Sequence, residues 1–203
     1  MLVTLKRLVE LYPKATYWLQ LGGLYSELND EKRALAVFEL AYRGGFLTKP
    51  ENLRQLAQMF LYQNVPLKGA EVMQAAFDKK ALPKNERNLT ILADAYVRSK
   101  EIDKAYLPLN QAAKAGKSAD LYLRLTQLLL EGEKWSKAIA AAESAIRTGK
   151  LKDKGQAYLL MGIGNYYAGK QSAARRALEK ASKSKNATHS NVARQWLRLI
   201  ETM

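Results

Sequence analysis

Two helical stripes of apolar residues, separated by a turn, occur in the segment WLQLGGLYSELNDEKRALAVFELA, residues 18–41. The first stripe combines large, small and aromatic side chains at helical spacing: Trp18, Leu21, Gly22 and Tyr25. After the Asn29-Asp30 breaker, the second stripe consists of Ala34, Phe38 and Ala41. A period of 3.6 residues places each stripe on one face of a helix. The segment therefore predicts two antiparallel helices whose small residues allow a close crossing.

The same pattern recurs four more times, at intervals of 33 to 36 residues. Successive first helices open their stripes at Trp18, Leu53, Leu89, Tyr122 and Tyr158. One such helix pair buries only part of its apolar surface, so several pairs must stack to form a core. We therefore predict one all-α array over residues 1–203, with repeats at 15–49, 50–85, 86–118, 119–154 and 155–188.

Four positions depart from the repeated pattern. Thr126 occupies a slot for a small residue, Ala142 a slot for a large one, and Asn165 the aromatic slot. Pro108 lies inside a predicted second helix, where a proline removes a backbone hydrogen bond. We expect it to kink that helix or to delay its start.

The two ends of the chain also have helical patterns. Residues 1–14 are predicted to be the second helix of a truncated preceding repeat, and a dedicated N-terminal cap is the alternative. The apolar face of this helix is expected to meet another molecule, including a second copy of the chain. Residues 189–203 are predicted to form a closing helix, capped at its start by Ser190.

The repeated pattern resembles the tetratricopeptide repeat (TPR), which has Trp, Leu-Gly and Tyr in its first helix and Ala, Phe and Ala in its second. The resemblance implies a right-handed solenoid of about five helix pairs with one flanking helix at each end. The stretch 2–203 also resembles the C-terminal region of TPR proteins associated with TonB-type energy transduction in Gram-negative bacteria. That resemblance implies a periplasmic location, with a cytoplasmic one as the alternative, and partners in the TonB–ExbB–ExbD machinery.

The composition argues against enzymatic chemistry. The chain has no Cys and a single His, His189, which excludes most metal sites and nucleophilic triads. It contains no phosphate-binding loop, zinc-protease or nucleophile-elbow motif. We therefore expect no catalytic residue, no metal and no cofactor.

The first helices of a stacked array line its concave face, which predicts a partner-binding groove. Residues one position after the packing residues, or one turn further, are predicted to point into it. These groove residues are Arg54, Gln58, Asp94, Leu123, Gln127, Leu130 and Tyr166. An apolar groove with polar groups suits a peptide, although Leu159 and Ile163, at equivalent positions, could instead pack between repeats.

Positive charge is concentrated near the C-terminus. The chain has a formal charge of +14, and residues 146–203 contain 12 Lys and Arg against 3 Asp and Glu. The predicted basic patch comprises Arg147, Lys150, Arg175, Arg176 and Lys180.

The leading hypothesis is a non-enzymatic protein–protein interaction scaffold. The alternatives for the basic C-terminal third are a binder of an anionic polymer or membrane surface, or a merely solubilising surface. Nucleic acid is disfavoured because aromatic residues are not interleaved with the charges.

Overall fold

The computed structural model describes residues 1–202. Within them all regular secondary structure is helical and forms twelve helices. These are α1 (Leu2–Leu11), α2 (Ala15–Glu27), α3 (Glu31–Arg43), α4 (Pro50–Tyr62), α5 (Pro66–Asp78), α6 (Glu86–Arg98), α7 (Ile102–Gly116), α8 (Ala119–Glu131), α9 (Trp135–Arg147), α10 (Gly155–Tyr167), α11 (Gln171–Ala181) and α12 (Ala187–Glu201). The fold-class prediction of five helix pairs with a flanking helix at each end is confirmed.

The chain divides into two compact units. The first comprises Met1–Lys84 and Thr90–Glu101, and the second comprises Asn85–Leu89 and Ile102–Met203. In the first unit α2 packs on α3 and α4 packs on α5, while α1 packs on α2. In the second unit α8 packs on α9 and α10 on α11, and α12 packs against both α10 and α11. Organisation of residues 1–203 as one array, with the repeat boundaries given above, stays a prediction.

Every first helix of a pair ends in the same left-handed turn. A positive φ occurs at Asn29, Asn64, Lys100, Glu133 and Gly169, which recur with the spacing of the repeats. The following N–H group bonds to the carbonyl oxygen five residues earlier, as in Asp30 to Tyr25 and Lys170 to Asn165, both at 2.9 Å. This is the Schellman motif, which satisfies carbonyl groups left free at a helix end. The repeat is therefore encoded in the turns as well as in the apolar stripes.

Two details of the helices differ from the sequence predictions. The closing helix begins at Ala187, and the Asn186 side chain caps it by accepting the N–H groups of Thr188 and His189. The Ser190 cap prediction is wrong, because the Ser190 hydroxyl lies inside α12 and donates to the Ser182 carbonyl oxygen at 2.7 Å. Of the two effects expected from Pro108, the delayed start is not found, since α7 begins at Ile102 and continues past the proline, and the kink stays a prediction.

Candidate peptide-binding surface

In the first unit, the predicted groove residue Gln58 lines a cavity of about 380 Å³. Gln58 is exposed on α4, whereas Arg54 on the same helix and Asp94 on α6 are half-buried and lie outside the cavity wall. Of the three groove residues predicted for this unit, only Gln58 therefore lines the cavity. The wall is completed by residues that the sequence reasoning missed: Glu31, Gln55, Met59, Tyr62 and Gln63.

The cavity owes its shape to the register of α4. This helix starts at Pro50, which is suited to the first helical turn because it lacks an N–H group. Helical spacing then places Gln55, Gln58 and Tyr62 on neighbouring turns of one surface. Met59 packs against the core formed by α1, α2 and α3, so it supplies an apolar floor. Tyr62, at the end of the helix, is 80% exposed.

The chemistry of the cavity wall is dominated by side-chain amides. Each glutamine amide offers both donors and an acceptor, which matches the alternating groups of an extended peptide backbone. Of the described residues that line the cavity, Glu31 alone carries a charge. Glu31 lies in the first turn of α3, and its carboxylate accepts a hydrogen bond from the Ser26 hydroxyl of α2 at 3.5 Å. The glutamines at positions 55, 58 and 63 are the sequence feature that would have indicated this surface.

In the second unit, Leu123 is part of the core rather than a groove anchor. It is 7% exposed and packs in a cluster with Ala145 of α9 and Ala157 of α10. Its expected role is therefore not met, because the position after Tyr122 faces the neighbouring helix pair. Gln127 is exposed and Leu130 is half-buried.

Tyr166, the last predicted anchor, is engaged in an aromatic cluster. Its ring meets that of Trp196 on α12 edge-on, with centroids 5.2 Å apart, and that of Tyr167 at 5.4 Å. Tyr167 in turn stacks on Trp135 at 4.9 Å. The closing helix thus contacts the Tyr166 ring, which the sequence predicts to be an anchor for a partner. Leu159 and Ile163 also pack in the core under α12, as the packing alternative expected.

The residues of the predicted basic patch differ in whether their positive charges have a partner. Arg175 forms an ion pair with Glu201 at 2.6 Å, and the Lys180 ammonium lies 5.2 Å from the centre of the Tyr158 ring. Arg147 donates to the Ser144 hydroxyl at 2.9 Å. Lys150 and Arg176 are exposed and have no ion-pair partner within residues 1–202. The patch residues on α11 are therefore partly neutralised.

The single histidine lies near a serine and an aspartate, but their arrangement does not activate a nucleophile. The Ser184 hydroxyl donates to Asp153, and this bond is the main cause that lowers the pKa of the Asp153 carboxyl. The His189 Nδ1 atom lies 3.7 Å from the same carboxylate. A nucleophilic serine would need the imidazole as its base, whereas here the Ser184 hydroxyl donates to the aspartate instead. The described residues contain no cluster of three potential metal ligands.

Comparison with known proteins gives structural likeness only. No protein-family model matches the chain, and no curated protein matches its sequence. The crystal structure of YrrB, a TPR protein with an unusual peptide-binding site, superposes with a TM-score of 0.67 at 15% identity, over 94% of this chain and 96% of that one. The crystal structure of MamA protein gives a TM-score of 0.63 at 20% identity, over 82% and 89% of the two chains.

These likenesses establish the fold. At such low identity they do not transfer a function or a partner. None of the helices in residues 1–202 combines the length and the hydropathy that a membrane span requires. The chain has the helical solenoid fold of TPR proteins.

Proposed function

We propose that this protein is a non-enzymatic protein–protein interaction scaffold that binds an extended peptide segment of its partner. The observation that carries the proposal is the cavity beside Gln58, with its three glutamine amides, apolar Met59 floor and exposed Tyr62. An extended peptide presents N–H and C=O groups that such amides can pair, and side chains that Tyr62 and Met59 can cover. YrrB, a peptide-binding protein of the same fold, supports this use of the scaffold.

Glu31 gives the proposed site a charge preference. Its carboxylate is at the cavity wall, where a cationic side chain of the bound peptide would be attracted to it. The expected ligand is therefore an extended segment with a Lys or Arg near an apolar residue. An acidic segment would instead be repelled by Glu31 at close range.

The test is selection of peptides on the whole protein from a random displayed library, followed by calorimetric titration of the selected sequence. Gln58→Ala should weaken binding about fivefold, the value of one ordinary hydrogen bond. Gln195→Ala, which removes an exposed glutamine from α12, is the matched control and should leave the affinity unchanged. Equal affinities of the wild type and Gln58→Ala would place the peptide elsewhere.

We further propose, from the sequence resemblance, that the partner belongs to a TonB–ExbB–ExbD system and that the protein works in the periplasm. The support is the resemblance of residues 2–203 to TPR proteins associated with that machinery. Site-specific photocrosslinking from position 62 in intact cells tests the partner. Protease accessibility in spheroplasts compared with whole cells tests the location. Crosslinks only to unrelated cytoplasmic proteins would overturn this assignment while leaving the peptide site intact.

A further inference from the structure

Two connecting segments of the second unit lie against each other and carry an unusual concentration of lysine. Residues 148–154 join α9 to α10, and residues 182–186 join α11 to α12. The Ser184 hydroxyl in the second segment donates to the Asp153 carboxylate in the first. A Cβ added to Gly155 would fall 2.3 Å from the Ser184 Cβ atom, so the segments are in close contact. Their side chains therefore share one surface.

We call this surface the lysine edge and define it by five exposed residues: Lys150, Lys152, Lys154, Lys183 and Lys185. None of the five has an ion-pair partner within residues 1–202. Asp153 is the one carboxylate in the two segments, and it is already bonded to the Ser184 hydroxyl and the Gly155 N–H group. The Asp153 carboxylate offsets one of the five lysine charges, so the edge keeps a net formal charge of +4.

Helix stability does not account for these lysines. Lys154 is the N-cap residue of α10 and makes no capping hydrogen bond, while Lys185 directly precedes Asn186, the cap of α12. The N-terminus of a helix is the positive end of its dipole, where a cation is unfavourable. Two of the five charges therefore lie where the fold would favour an acidic or a neutral residue. An external anion would relieve that repulsion.

We propose that the lysine edge is a docking surface for a membrane that contains acidic phospholipids. Residues 148–154 and 182–186 contain no aromatic side chain to stack on nucleic-acid bases and no arginine to grip single phosphates bidentately. Lysines on adjacent loops instead act as hydrated point charges, whose attraction to a diffuse anionic surface accumulates residue by residue. The lysine edge shares no residue with the wall of the Gln58 cavity, so each proposal can fail without the other.

The test is sedimentation of the whole protein with vesicles of phosphatidylcholine alone or with 30% phosphatidylglycerol, a fraction of roughly the size that gives a strongly anionic surface. The variant Lys150→Gln, Lys152→Gln and Lys154→Gln removes three charges from the edge. Its control is Lys32→Gln, Lys100→Gln and Lys170→Gln, which lowers the net charge equally. Lys170 follows the far end of α10, about 20 Å from Lys154 along the helix.

We expect binding to the acidic vesicles only, weakened about a hundredfold in the edge variant and less than threefold in the control. Raising the salt from 50 to 300 mM, which shortens the screening length about 2.4-fold, should release the protein. Equal losses in both triple variants would show an effect of net charge and overturn the proposal. Tighter binding to a single-stranded oligonucleotide than to the acidic vesicles, or no binding to those vesicles, would overturn it as well.

Discussion

Gly22 lies directly against the buried ring of Phe38, so closely that a Cβ on Gly22 would fall 2.4 Å from the Phe38 Cε2 atom. Gly162 has the same relation to Leu178, at 2.6 Å from its Cγ atom. In both pairs a missing side chain on the first helix makes room for a large one on the second. The helices cross at this point because the two surfaces are complementary in volume.

Gly22→Ala should destabilise the protein by about 1–2 kcal/mol, because overpacking against Phe38 outweighs the higher helix propensity of alanine. Gly23→Ala is the matched control in the same helix, since its Cβ would meet nothing within 4 Å. It should stabilise the protein by about 0.5–1 kcal/mol. Urea unfolding of both variants measures the difference, and two changes of the same sign would contradict the packing argument.

In the fourth helix pair, α8 and α9, the larger and the smaller residue at the equivalent positions are exchanged. Thr126 stands in the slot of Gly22, Ala142 stands in the slot of Phe38, and both are fully buried. The Thr126 hydroxyl donates to the Tyr122 carbonyl oxygen at 2.8 Å, so burial leaves no polar group unpaired there. We therefore expect the larger residue at position 126 to compensate for the smaller one at position 142.

Ala142→Leu alone should cost about 1–3 kcal/mol by overpacking, and Thr126→Ala about 1 kcal/mol. Combined, they should be less destabilising than their sum by about 1 kcal/mol, because the smaller residue makes room for the larger one. Unfolding free energies from a double-mutant cycle measure this coupling. Pairing Ala142→Leu with Thr188→Ala, an exposed residue of α12, should give simple addition. Additive effects of Ala142→Leu and Thr126→Ala would refute the proposed exchange of side-chain sizes at this crossing.

Glu133 adopts a φ of 55° in the turn after α8, a conformation that disfavours residues with a Cβ. Glu133→Gly should therefore stabilise the protein by about 0.5–1 kcal/mol and raise Tm by about 2–3 °C. Glu131→Gly, at the exposed end of α8, makes the same chemical change in a helical residue and should lower Tm. Calorimetry on the two variants distinguishes backbone strain from the loss of a glutamate charge. A lower Tm in both variants would mean that the loss of a glutamate charge outweighs the relief of backbone strain.

Glu39 should make stability depend on pH. The Lys68 ammonium donates to Glu39 Oε1 at 2.8 Å and, with Arg43, holds the pKa of this carboxyl below its ordinary value of 4.5 despite the opposing effect of burial. A lowered pKa in the folded state stabilises the fold above pH 4.5, and the contribution is lost as the pH falls through the folded pKa.

Glu39→Gln should accordingly cost about 0.5–1 kcal/mol at pH 7, since the cations are partly exposed, and almost nothing at pH 2.5. Thermal melts across this range measure the change. Glu143→Gln, which alters an exposed carboxylate of α9 that has no ion-pair partner within residues 1–202, is the control and should show no such trend. A deficit for Glu39→Gln that persists at pH 2.5 would mean that packing, and not the ion pair, is responsible.

The fold could be predicted because it is governed by local repetition. The stripes at Trp18, Leu53, Leu89, Tyr122 and Tyr158 each lie in the first helix of a pair, and the turn breakers follow at constant distance. Cap choice was less predictable, since Asn186 and Ser190 are both good capping residues. Which of them caps α12 depends on where the chain leaves α11.

The surface residues were harder to predict because a repeat pattern fixes the register of a helix but not what covers its outer face. Leu123 was buried by the next helix pair, and Tyr166 was met by Trp196 of α12, an element outside the repeat. Gln58 is exposed, yet the cavity beside it also needs Glu31 from another helix. Such a concavity depends on the spacing between helices, which no single repeat encodes.

Tyr62 and Tyr166 offer a direct choice between the cavity seen in the first unit and the groove expected in the second. Tyr62 is 80% exposed at the cavity wall, so Tyr62→Ala should change the free energy of unfolding by less than about 0.5 kcal/mol. Tyr166 packs against Trp196 and Tyr167, so Tyr166→Ala should cost about 3 kcal/mol.

Binding should show the opposite order. An exposed aromatic anchor gains most of its contact area on complex formation, and its loss should weaken a selected peptide at least tenfold. Tyr166→Ala should leave the affinity unchanged when titrated at 10 °C, roughly the temperature of greatest stability for folded domains. The measurements are denaturant unfolding and calorimetric titration on the same preparations. If Tyr166→Ala weakens binding while Tyr62→Ala does not, the peptide site lies in the second unit, where Gln127 and Leu130 would then be its remaining contacts.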